Sequence, residues 1–244
     1  MLTAYQQQTQ RLLNDEAEQF YNIADLTTYI NNARADIAKR TEVLIATATL
    51  NTGNGTQSYS VGALTPPGNL SQVLNIRSIT LGAAAPFTRL EHRSWQWASN
   101  YWFSGAASAV TGNTTGWAVQ TLGSNGTLWL NPTPNGNLTL NIEASWTPIA
   151  LVTDSTGEAL PYPYTDAVPF FAAYEAYLQA QRNSDAQNMM ENYLSFLRAA
   201  RLGATSQWMP VTFPTPKGQQ SAIDEILSGA GPAAKPAASG EATP

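Results

Sequence analysis

Cysteine is missing from all 244 residues, which excludes disulfides, thiolate zinc sites and cysteine nucleophiles. Histidine occurs once, at His92, so any Ser-His-Asp scheme would have to run through it and no histidine pair can share a metal. His92 stands among Glu91, Arg93 and Trp95, with no G-x-S-x-G motif anywhere, and reads as a surface or packing residue. No glycine-rich phosphate loop follows a strand-like segment. Charge is scarce too: 12 % of residues are charged, about half the usual share, and the net charge is −5. The twelve basic residues form no Lys/Arg run suited to tracking phosphates, which argues against sequence-specific nucleic-acid binding. No apolar run approaches the ~18–20 residues of a membrane span. Met1 to Asp15 is polar and glutamine-rich without a signal-type segment, so a cytoplasm-like compartment is expected. In that context five Asn-x-Ser/Thr matches (Asn54, Asn69, Asn113, Asn125, Asn137) reflect loop composition only.

The length suffices for one large or two modest domains with real cores. Seven Trp, ten Tyr and seven Phe on so weakly charged a chain suggest surface buried against partner subunits. A neutral Ser/Thr/Asn/Gln surface is the other reading, and the chain has that composition as well.

The organising stretch is Ala159 to Gly203. Phe170, Phe171, Tyr174, Tyr177 and Leu178 recur nineteen positions later as Met189, Met190, Tyr193, Phe196 and Leu197. At ~100° per residue each set forms one helical stripe, predicting two antiparallel helices joined at Arg182-Asn183-Ser184-Asp185. Phe170, Phe171, Tyr174, Tyr177, Met189, Tyr193 and Phe196 are thereby the expected layer for scaffold or inter-subunit packing. Thr165 or Asp166 is the expected cap, with Pro169 tolerated in the first turn and Gly203 ending the second helix.

Upstream, Leu2, Tyr5, Thr9, Leu12 and Leu13 share one side of a helix over 2–13, opposite Gln6, Gln7, Gln10 and Arg11. Asp25 is placed to cap a second helix, with Leu26, Tyr29, Ile30, Ala33 and Ile37 as its buried stripe. From Ile45 the period falls to two. Strands are predicted at 45–50, 57–61, 73–81, 117–119, 128–130 and 138–147, with a short helix from Glu91 to Tyr101. The clearest is Leu138, Leu140, Ile142, Ala144 and Trp146 on one face, against Thr139, Asn141, Glu143, Ser145 and Thr147. The expected fold class is α+β. Segments 1–44 and 159–203 form one helical bundle, 45–158 an inserted antiparallel β-sandwich or barrel, and 204–244 an extended tail.

A search for chemistry finds little. Asp154 to Glu158 superficially resembles a calcium loop but lacks the ligand spacing. Glu91, Glu143, Asp154 and Glu158 supply carboxylates for a glycoside hydrolase, yet nothing marks a pair among them. Trp95, Trp97, Tyr101, Trp102 and Trp117 offer a sugar-stacking platform, so a carbohydrate-binding β module on a helical stalk is the alternative function. Helical spacing of Trp97 and Tyr101 favours packing instead. The expectation is a protein that is not an enzyme and carries no metal or cofactor.

Particular phrases then become informative. Tyr5-Gln6-Gln7-Gln8-Thr9-Gln10-Arg11-Leu12-Leu13-Asn14-Asp15, Asp25-Leu26-Thr27-Thr28-Tyr29-Ile30-Asn31-Asn32-Ala33-Arg34 and Leu160-Pro161-Tyr162-Pro163-Tyr164-Thr165-Asp166-Ala167-Val168-Pro169 resemble head-to-tail adaptor proteins of tailed bacteriophages. The resemblance covers roughly residues 3–203 and is to the short-tailed type, the tail tubular protein A group. It implies a structural virion protein of the tail or neck, assembled in the host cytoplasm as a dodecameric ring between portal and a downstream nozzle or tube protein. Genomic DNA would pass through without sequence-specific binding. It also implies a terminal segment docked on the portal, a role assigned to 204–244 through Trp208, Met209, Val211, Phe213, Ile223, Ile226 and Leu227.

Overall fold

The first helix, α1 (Leu2–Leu13), buries Leu2, Tyr5, Thr9 and Leu13 along the predicted stripe. In this computed structural model the described residues are 1–15, 20–82, 88–102, 111–121 and 123–208, with side chains to residue 202. Gln10, expected to face out, is buried as well, and its side-chain amide nitrogen has no hydrogen-bond partner among the described residues. The second helix, α2 (Ile23–Thr41), begins two residues earlier than expected. Its cap is Asn22, whose side chain accepts the Ala24 N–H at 3.0 Å, rather than Asp25. Asp25 lies in the first turn, where a negative charge still favours the helix dipole. Asn14 and Glu42 end the two helices in the left-handed conformation, with φ of 53° and 49°. Leu26, Ile30, Ala33 and Ile37 are fully buried as predicted, and so is Arg34, which the stripe did not include.

The β region contains β1 (Ile45–Asn51), β2 (Ser58–Ser60), β3 (Leu70–Leu81), β4 (Thr88–Arg89), β5 (Glu91–His92), β6 (Thr111–Gly112), β7 (Gly116–Val119), β8 (Thr127–Asn131), β9 (Thr133–Pro134) and β10 (Thr139–Pro148). They form sheets in the orders β1-β10-β3-β4, β2-β8-β7-β5 and β6-β9. β10 is the spine of the first: antiparallel β1 and β3 flank it, placing Ile142 beside Ala48 and Ile79. Leu140, Ile142, Ala144 and Trp146 are fully buried, and the Trp146 indole donates to the Ala46 carbonyl at 3.0 Å. Val61, Trp117, Leu128 and Leu130, on or beside the second sheet, share one core cluster with Ile79 and Ile142.

Two features depart from the wholly antiparallel expectation. β5 pairs with β7, and β6 with β9, in parallel. Parallel neighbours need a crossover, and α3 (Trp95–Tyr101) lies in the chain between β5 and β7. The predicted helix from Glu91 is therefore shorter. The backbone N–H groups of Glu91 and Arg93 donate to Thr115 and Trp117, which holds them in the sheet, and Ser94 caps α3 instead. Among the described residues no barrel closes.

After the β region, a 3-10 turn (Tyr164–Ala167) leads into α4 (Val168–Gln179). Ala167 holds the cap position without a side-chain bond, so neither Thr165 nor Asp166 caps α4, and Pro169 falls in the first turn. Gln181, at φ 58°, reverses the chain into α5 (Asn183–Trp208). The phenyl rings of Phe170 and Phe196 stack at 4.8 Å, and Phe171 meets Tyr193 at 4.9 Å, as an antiparallel hairpin requires. α5 does not stop at Gly203. A helical interior tolerates one glycine at a cost of about 1 kcal/mol, so intrinsic preference alone does not end it there. Trp208, expected in an extended segment, is the last residue of α5. Leu2, Tyr5, Ile30, Ile37, Val168, Phe171, Tyr193 and Leu197 make one core cluster drawn from α1, α2, α4 and α5. Met1–Arg201 forms one compact unit.

Because Ile142 lies at the centre of β10 with no exposure, Ile142→Ala should cost ~2–5 kcal/mol in urea unfolding. Thr47→Ala, at an exposed position of β1, should cost under ~1 kcal/mol.

Candidate functional site

The polar centre of the molecule is Arg34. Its guanidinium lies wholly buried against Glu158, whose side chain is 9 % exposed, with an Nη2–Oε1 distance of 2.8 Å. Nε donates to both Glu158 oxygens, and Nη1 donates to the Ile149 carbonyl at 2.7 Å and to Asn31 Oδ1. Glu158 in turn accepts the Tyr5 hydroxyl at 3.0 Å and the backbone N–H groups of Ala159 and Leu160. Asn31 closes the set by exchanging hydrogen bonds with the Leu151 backbone. These bonds tie α1 and α2 to the segment between β10 and α4.

The carboxylates weighed for glycoside hydrolysis thus have other work. Both oxygens of Glu158 are occupied. Asp154 accepts the Met1 amino group at 2.7 Å together with the Thr3 N–H and hydroxyl. Those bonds hold its carboxyl well below the usual carboxylate range. Glu143 accepts the Ser78 hydroxyl, and exposed Glu91 pairs with Arg93. Among the described residues no group of His, Asp and Glu has the placement of a metal site.

The predicted aromatic layer divides in two. Phe171, Tyr177 and Tyr193 are buried scaffold. The Tyr193 hydroxyl donates to Asp36 at 2.6 Å, and that of Tyr177 to the Leu12 carbonyl at 2.9 Å. Tyr174 and Met189 pack against the same cores half-buried. Leu178, expected in the stripe, is instead 43 % exposed. Phe196 is 41 % exposed, and with Phe170 and Pro169 it lines an open groove of about 430 Å³. Gln8, Arg11 and Leu12 of α1, together with Asp166, line its remainder. Of the expected tail contacts, Met209, Val211, Phe213, Ile223, Ile226 and Leu227 lie outside the described residues, as does the Trp208 side chain.

On the second sheet, Trp97 and Tyr101 are exposed and stack at 4.8 Å. The Arg93 guanidinium also sits over the Trp97 ring, 4.7 Å from its centroid. Trp95 meets Trp129 at 5.8 Å, Trp102 is buried, and Trp117 is buried beneath His92 at 4.4 Å. His92 is thus a packing residue on an indole face, as its sequence context indicates.

Arg34→Met leaves Glu158 buried without its cation and should cost ~3–5 kcal/mol, whereas Arg34→Met with Glu158→Leu should recover most of that loss. Chemical unfolding of the two variants measures the difference. Burial is the main reason that the Tyr5 and Tyr193 hydroxyls ionise well above the ordinary 10.0, with Glu158 and Asp36 adding to it respectively. The folded state therefore keeps these protons where the unfolded chain releases them. Their stabilisation is complete below pH 10 and is lost as pH rises beyond it. Thermal midpoints should fall above about pH 10, and Tyr193→Phe should make the fall shallower while costing ~1–3 kcal/mol at neutral pH.

A comparison with curated proteins found no match. Residues 2–215, nearly the whole chain, match the family described as SU10 adaptor protein. That span takes in α1 through α5 and all three quoted phrases, so the likeness to phage head-to-tail adaptors is borne out and the chain belongs to the SU10 adaptor protein family.

Proposed function

We propose that this protein is a structural, non-enzymatic piece of a tailed-phage virion that forms an oligomeric ring, dodecameric by resemblance, between portal and tail. The family match over residues 2–215 carries the reading. Two further observations support it. The charge is sparse, so a lumen built from this chain would grip passing DNA weakly, each phosphate contact adding salt-dependent affinity. And Phe196 and its groove leave apolar surface on the helical side for a neighbour to cover.

In this reading 1–44 and 159–203 act as the ring-forming helical domain, and 45–158 as a sandwich-like domain presented to the next tail component. The segment 204–244 docks on the portal, with Trp208 at the end of α5 and Met209, Val211, Phe213, Ile223, Ile226 and Leu227 beyond it as the apolar contacts. The glycan alternative is weakened at Trp97, because Arg93 and Tyr101 already stack on its ring.

Removing 209–244 leaves α5 whole and should give a folded protein whose thermal midpoint is nearly unchanged. Its association with the portal protein encoded in the same phage genome should weaken by at least about tenfold, a loss of about 1.4 kcal/mol. Portal binding undiminished by the truncation would reject the docking role. Light-scattering mass of the full chain, alone and with portal, tests the ring itself: a strict monomer under both conditions would reject it.

A further inference from the structure

We propose that the groove at Phe170 and Phe196 is one half of a head-to-tail contact between copies of this chain, and that the basic seam where α2 meets α5 is the other half. The inference rests on the ring reading and names the surfaces that build the ring.

The seam is fixed by the bond from the Tyr193 hydroxyl to Asp36 and by the shared burial of Ile37, Ala38, Leu197 and Ala200. Lys39 and Arg40 on α2, near Asp36, and Arg198 on α5, next to buried Leu197, are exposed. Asp36 on the seam is already engaged by Arg40 and Tyr193, and Glu175 of α4, close enough to feel its charge, accepts from Asn32. With Arg40 paired to Asp36, Lys39 and Arg198 remain as exposed cations on a chain whose net charge is −5. The groove holds the complementary features: exposed Asp166, and the open face of Phe196 above Phe170 and Pro169. Arg11 also lines it but already has a partner.

Placement on the helix decides between kinds of contact. At 3.6 residues per turn, Phe196 and Arg198 point about 200° apart around α5. Phe196 and Arg198 therefore lie on opposite flanks of α5 and cannot meet within a molecule. Two different, complementary patches facing opposite ways make a heterologous contact, which generates a ring when its rotation closes. On docking, the stems of Lys39 and Arg198 would lie over the aromatic floor, with the Arg198 guanidinium over Phe196 and beside Asp166.

The test is a charge exchange in the full-length chain, with assembly followed by light scattering or mass photometry across protein concentrations, with and without portal. Asp166→Arg and Arg198→Glu each place like charges together and should raise the concentration of half-assembly at least tenfold. The double variant restores opposite charges and should return it toward wild type. Phe196→Ala, at an exposed position, probes the groove side independently and should weaken assembly without lowering the thermal midpoint. Single variants that assemble like wild type, or a double variant no better than either single, would overturn this contact while leaving the ring reading intact. A wild-type chain that never assembles, alone or on portal, would remove the ring reading and the contact together.

Discussion

One buried ion pair ties the chain before the β region to the chain after it. Arg34 and Glu158 come from a helix that precedes the β region and a segment that follows it, and they meet with no exposure on the arginine side. Taking two charges out of water costs several kcal/mol each, and only dense hydrogen bonding offsets that. Here it is dense: the guanidinium reaches Glu158, Ile149 and Asn31, and the carboxylate also accepts Tyr5, Ala159 and Leu160. So completely satisfied a pair specifies one arrangement of the chain where it leaves the sheet and re-enters the helices.

That constraint makes the rest intelligible. β10 is held by β1 and β3 on either side and ends at Pro148, next to the Ile149 carbonyl that Arg34 holds. The sheets and the helices therefore cannot swing independently at this junction. Downstream, α4 is packed by buried residues on most of its surface, and Tyr193 links α5 to α2 through Asp36. Sheets and helices thereby belong to one compact unit, Met1–Arg201.

The aromatic hairpin shows how a scaffold element becomes a surface. Phe171 and Tyr193 close the core, while Phe170 and Phe196, one residue before and three after them, stack at the edge and stay accessible. Apolar groups kept in water at such an edge cost stability in a lone molecule and are recovered when another surface covers them.

Periodicity alone determined much of this protein. The stripes of α1 and α2, the alternation along β10 and the aromatic hairpin were legible because each follows from side-chain direction within one element. The α+β class was legible for the same reason, and the adaptor family through the resemblance that the three quoted phrases carry. Sequence reading missed what depends on partners distant in the chain. Nothing local marks Arg34 as buried, because its burial requires Glu158 to arrive from 124 residues away. Asn22 took the cap from Asp25, and β5 took Glu91 from the predicted helix, because Thr115 and Trp117 compete for the same backbone N–H groups. Local patterns set what each segment can become. Only the tertiary structure decided which charge is neutralised inside and which aromatic ring stays open, since both depend on the few ångströms between segments far apart in sequence.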